Sequence, residues 1–262
     1  MMTAPRSSRT PPDELRMSFF DHLNELRSRL LKAFIALILG TIVGFFLAGD
    51  VMLFLQIPYG DAFITLGPTD SIVAYFRVSL LIGGIIAVPV ITYQVLRFVL
   101  PGLTPRESRY LLLSLPAITL LFIFGVVFTW FILVPPAIGF FEGFQPTIFR
   151  PQWTADLYLG FVTALLFWMG VAFQTPLIFF VVAILGLVKA PSLIRNWRIA
   201  VVGSAVAAAI ITPTIDPVNM ILVMGPLMAL YVLSIGLVWI GSRINRRSLD
   251  DASAEQTEDY LS

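Results

Sequence analysis

Apolar residues run along this chain in six blocks, separated by short polar or proline-bearing connections: 33–48, 72–96, 110–134, 157–188, 199–211 and 218–240. Crossing hydrocarbon takes about 20 apolar residues of helix, with a range of roughly 17–25. The pattern predicts an all-α, polytopic membrane protein of six transmembrane helices, with short fifth and sixth spans. The thirteen residues of 199–211 rise only about 20 Å. Local bilayer thinning or flanking interfacial residues must complete that span. Pro89, Pro116, Pro176 and Pro226 fall inside blocks. Each removes a backbone hydrogen bond and tends to kink its helix, so the expected bundle is curved and irregular.

Composition agrees and narrows the function. The chain is 58% hydrophobic and 13% charged, against about 25% charged in soluble domains, so the apolar excess must face lipid. A net charge of +1 gives no global field for nucleic acid. With no cysteine and one histidine, no metal site, cofactor or thiol chemistry is expected. Fifteen of the seventeen Lys and Arg residues fall in the N-terminal arm, the second and fourth connections and the tail; Arg77 and Arg150 remain for the other side. Cytoplasmic loops carry the basic excess, which predicts both termini inside. Residues 1–17 and 246–262, polar and apolar-poor, are expected to be disordered arms around a single membrane domain over 18–245. A solute transporter or channel, the alternative class, needs a charged or polar path at membrane depth; these spans hold almost no internal charge. An intramembrane enzyme lacks its parts, since His22 lies outside the bilayer and no embedded carboxylate pair is present.

A few polar residues remain to be assigned. Before the first span, Phe19, Leu23, Leu26 and Leu30 share one helical stripe, with Asp21, Glu25 and Arg29 on the opposite face. Glu25 and Arg29 suit an i,i+4 pair. In the second connection Thr104, Pro105 and Glu107 read as N-cap, N1 and N3 of a capping box. Asp216 before Pro217 reads as another N-cap. Gln174, near the middle of the fourth block, needs a partner for its amide, either within the bundle or on a neighbouring helix or passing substrate.

These residues also carry a resemblance. His22-Leu23-Asn24-Glu25-Leu26-Arg27-Ser28-Arg29, then Pro89-Val90-Ile91-Thr92-Tyr93-Gln94 followed by Phe98, Pro101, Leu103 and Glu107, then Pro58, Pro176, Thr212-Pro213 and Asp216 resemble the TatC family over about residues 18–245. The resemblance implies a membrane receptor and core subunit of the twin-arginine translocase, a carrier of protein transport and not an enzyme. It implies partners of the single-span TatA and TatB kind, the twin-arginine signal peptides of folded proteins, membrane lipid and further copies of the chain. It also implies a prokaryotic plasma membrane and dependence on the protonmotive force. By the same resemblance Glu25 and Glu107 engage the signal's arginines, with Arg27 balancing and holding Glu25, and Phe98 and Pro101 shaping the surface. Gln174, Asp216 and Pro58 become contacts for partners or the passing substrate. Many family members carry glutamate where this chain has Gln174, which cannot ionise.

Overall fold

The computed structural model describes residues 19–60, 62–99, 105–149, 151–214 and 216–261, and side chains among these within 22–98 and 115–243. The described residues form nine α-helices: α1 Phe19–Leu55, α2 Asp70–Val99, α3 Pro105–Phe128, α4 Val134–Gly143, α5 Ala155–Ala172, α6 Thr175–Ile184, α7 Ala190–Arg195, α8 Trp197–Ile211 and α9 Pro217–Leu261. Among the described residues five stretches are long and apolar enough to cross a membrane: His22–Leu55, Asp70–Phe98, Leu115–Gly143, Ala155–Ile184 and Pro217–Arg243. The short α8 stands fifth in chain order, as its block predicts.

The sixth span is not short, contrary to expectation. Its apolar stretch covers 27 residues among those described; Pro217 starts the helix at N1, and Arg243 lies over Trp239, 3.5 Å from the ring centroid. Nor does helix end with the apolar block. α9 continues to Leu261, through the acidic tail expected to lose order. After Gly241 this segment holds no Gly or Pro, and Ala252, Ala254, Glu255 and Gln256 are favourable helix formers. The arm 1–17 lies outside the described residues.

Prolines act unequally. Pro89, Pro116 and Pro226 sit inside continuous helices. Pro176 instead accompanies a break: α5 stops at Ala172 and α6 starts at Thr175. The third span is divided too, by a π-helical turn over Thr129–Leu133. Pro135 and Pro136 offer no N–H there, and the Val134 N–H reaches back five residues to the Thr129 carbonyl.

Two contacts set the frame. Helices α1 and α2 run antiparallel and cross at glycines. A Cβ on Gly40 would lie 2.6 Å from the Gly83 carbonyl oxygen, one on Gly83 2.5 Å from the Thr41 nitrogen, and one on Gly44 would collide with the Ser79 carbonyl oxygen. Glycine here lets backbone meet backbone. At the far end of α1, the Tyr158 hydroxyl donates to the Leu55 carbonyl at 2.9 Å and the Tyr59 hydroxyl to the Trp153 carbonyl at 3.0 Å. A parallel bridge joins Ile64 to Thr154, and Thr154 caps α5. Between them lies the core, where Leu133, Leu159, Val162, Leu165 and Met169 are fully buried.

The bundle therefore has two distinct ends. One carries the start of α1 and the end of α2; the other carries Leu55, Trp153 and the start of α5. Alternation of the helices gathers Arg27, Arg29, Lys32, Arg97, Lys189 and Arg243 towards the first end. Arg77 pairs with Asp156 near the second.

Candidate functional site

The first end of the bundle holds a polar niche between α1 and α2. Arg29 donates from Nη2 to Glu25 Oε1 at 2.9 Å, one helical turn away, and from Nη1 to Gln94 Oε1 on α2 at 3.3 Å. His22 stacks on Phe98, with ring centroids 4.4 Å apart and planes 23° from parallel. The polar face of α1 thus turns inward against α2, while Leu23, Leu26 and Leu30 point outward and are exposed. This is the reverse of an amphipathic helix in water, and it suits a helix whose outer side meets lipid.

Glu25 is held half-made. Its side chain is 17% exposed. Oε1 is engaged by Arg29, yet Oε2 is buried with no hydrogen-bond partner. A buried carboxylate oxygen without a donor is costly. Gln94, 9% exposed, accepts from the other arm of Arg29 and holds that guanidinium from the side. A planar guanidinium presented at Oε2 would complete the charge-assisted set.

The other candidate residues divide. Phe98 lines the niche through His22. Arg27 is exposed on α1, and Glu25 is held by Arg29 rather than by Arg27, because four residues, not two, separate neighbours on a helical face. Glu107 lies in the first turn of α3, but its side chain and all of Pro101 lie outside the described residues. Arg97, at the same end, donates from Nε to the Tyr93 hydroxyl at 2.9 Å. Spacing gave the Glu25–Arg29 pair; the niche residue it did not give is Gln94, which accepts from Arg29. A glutamine near the end of an apolar span, on the same side as most of the basic residues, was the available signal.

Elsewhere, Gln174 sits at the α5–α6 break. Its Nε2 donates to the Ile118 carbonyl of α3 at 3.2 Å, while Oε1 is buried without a partner. Pro58 occupies a turn after α1 in which the Tyr59 N–H donates to the Gln56 carbonyl at 2.9 Å. Neither lies at the niche.

Asp216 caps α9. Its Oδ1 accepts from the Asn219 N–H at 2.7 Å, and its Oδ2 from the Thr214 hydroxyl at 2.6 Å and Asn219 Nδ2 at 3.1 Å. Burial alone would raise its pKa, but these hydrogen bonds outweigh that and hold it below the ordinary carboxylate value. A depressed folded-state pKa means stability that is full above about pH 4, the unfolded value, and lost as pH falls through the folded one. Asp216→Ala should lower stability by about 1 kcal/mol, read as a lower thermal midpoint at pH 7. The difference from the parent should shrink towards zero in acid.

Comparison with known proteins supplies the context. The family model described as "Sec-independent protein translocase protein (TatC)" matches residues 21–226. A Sec-independent protein translocase protein TatC from Synechocystis sp. is 36% identical over 237 residues, covering 90% of this chain and 93% of its own. One from Koribacter versatilis is 33% identical, with 92% of each chain covered. A crystal structure of a twin-arginine translocase receptor, TatC, superposes with a TM-score of 0.75 at 34% identity, covering 84% of this chain and 99% of that one.

Proposed function

The chain belongs to the TatC family of protein translocase subunits, and on that premise we propose that it is the membrane receptor that binds Arg-Arg signal peptides of folded proteins at the niche between α1 and α2. The observation that carries this reading is the vacant, buried Oε2 of Glu25 beside an oxygen already paired with Arg29. Among the described residues nothing donates to that oxygen, so the niche can accept one more guanidinium. Arginine fits because its fork donates two parallel hydrogen bonds; an ammonium is a point charge and needs more water around it. Glu107 takes the second arginine, Gln94 acts through Arg29 as a positioning residue, and Phe98 and Pro101 form the apolar wall.

The niche end, with most of the basic residues, faces the cytoplasm of a prokaryotic cell, both termini inside. Subunits of the TatA and TatB kind complete the translocase, several copies of the chain associate, and the protonmotive force drives export. The unpartnered Gln174 Oε1 accepts from a helix of such a subunit, in place of an ionisable group. Gln174→Ala should therefore weaken assembly and export; normal export by a fully assembled variant contradicts that role.

The test is binding of a twin-arginine signal peptide and its twin-lysine counterpart to the purified protein in lipid nanodiscs. A clear arginine preference supports the reading. Equal binding of both peptides removes it. Glu107→Gln, which keeps the shape of the side chain but not its charge, should fold normally and bind the arginine peptide about tenfold more weakly, roughly the share of one charged hydrogen bond.

A further inference from the structure

A second feature lies at the opposite end, away from the niche. A cavity of about 740 Å³ opens between α2 and α5, within the roughly 300–1,000 Å³ of ordinary ligand sites. Its mouth carries Arg77, Asp156 and Trp153, and its depth is lined by Leu37, Gly84, Ala164 and Phe167. Arg77 Nη1 lies 2.9 Å from Asp156 Oδ1 and donates to the Asp156 carbonyl at 2.7 Å. Both side chains stay more than a third exposed, at 36% and 38%. Gly160 makes room for them, since a Cβ there would lie 2.5 Å from Arg77 Nη1.

We propose that this cavity binds one zwitterionic phospholipid bearing a primary ammonium, its phosphate on Arg77, its ammonium on Asp156 and an acyl chain in the apolar depth. Charge selects the headgroup. The pair is neutral overall, so an anionic headgroup gains at Arg77 what it loses at Asp156, whereas a phosphate linked to an ammonium meets an opposite charge at each end. Arg77 keeps donors to spare, because only Nη1 is engaged.

Depth selects a lipid over a helix. Asp156 is the second residue of α5, and Phe167 lies three turns further on, or about 16 Å. Gly84 is two turns beyond Arg77. The cavity therefore reaches about half way through a hydrocarbon core roughly 30 Å thick, the length of one leaflet; a transmembrane helix would need a groove across both. Trp153 at the mouth matches the interfacial position of tryptophan in membrane proteins. This site does not depend on signal recognition at the niche.

The experiment is native mass spectrometry of the purified full chain, given equimolar palmitoyl-oleoyl phosphatidylethanolamine and phosphatidylglycerol. We expect one tightly retained lipid, with the ethanolamine form preferred by about tenfold, the effect of one charge-assisted hydrogen bond. The double variant Arg77→Gln, Asp156→Asn should keep the lipid but lose the preference. Ala164→Phe, which fills the depth and leaves the charges alone, should lose both lipids. Thermal midpoints near the parent value confirm the fold, and should the double variant fail to fold, Ala164→Phe decides alone. Equal retention of the two lipids by the parent overturns the proposal. So does undiminished retention by Ala164→Phe, or displacement of the lipid by a transmembrane peptide at stoichiometric amounts.

Discussion

Glu25→Ala is expected to abolish the distinction between twin-arginine and twin-lysine peptides and to weaken binding of the arginine form by about ten- to a hundredfold, the range of a hydrogen bond to a charged group. Two effects add. The vacant Oε2 disappears, and with it the acceptor for the incoming guanidinium. Arg29 also loses its partner at 2.9 Å and remains as an unpaired cation, held by Gln94, at the point where another cation must arrive. Glu25→Gln separates these effects. Its amide oxygen can still accept from Arg29, so the fold near α1 is kept, but the charge is gone; binding should fall while the thermal midpoint stays near the parent. Titration calorimetry on the three forms in nanodiscs makes the comparison. An arginine preference that survives in both variants would remove Glu25 from the site.

The fold was mostly legible in the sequence because hydrocarbon imposes a length, and length can be counted. Blocks at 72–96 and 218–240 became the apolar parts of α2 and α9, and the short 199–211 block became the short α8. What escaped was set by contacts that no local pattern records. Four prolines looked alike, yet only Pro176 stands at a helix break; the π turn belongs to Pro135 and Pro136, which adjoin an apolar run long enough to look uninterrupted. At the niche, spacing gave both the Glu25–Arg29 pair and the stripe of Leu23, Leu26 and Leu30, but not which face meets α2. In water the leucines would turn inward; next to lipid the charged face does, because only there can it find Gln94. Glu25 is met by Arg29 and not by Arg27 for a related reason: adjacency in sequence is not adjacency on a helix. The cavity was invisible, since Arg77 and Asp156 are far apart in the chain and each alone resembles an ordinary interfacial charge.

Gly83→Ala tests how far the niche depends on packing deeper in the bilayer. An exposed Gly→Ala exchange in a helix stabilises by about 0.8–1 kcal/mol. Gly236, whose Cβ would meet nothing within 4 Å, should show that gain or no change. At Gly83 the new methyl would lie 2.5 Å from both the nitrogen and Oγ1 of Thr41. Backbone cannot step aside as a flexible side chain can, so α1 must move outward, at an overpacking cost of about 1–3 kcal/mol. Helix α1 meets the bundle mainly along α2, and the remaining ties at its start are Arg29 to Gln94 and His22 to Phe98. Separating the helices at the glycine crossing therefore pulls on the niche. Gly83→Ala should lower the thermal midpoint, speed amide exchange over residues 22–31, and reduce affinity for the arginine peptide towards that of Glu25→Ala, while Gly236→Ala does none of these. A Gly83→Ala protein that is destabilised but binds the peptide at full affinity would mean that the niche holds its geometry independently of the glycine crossing.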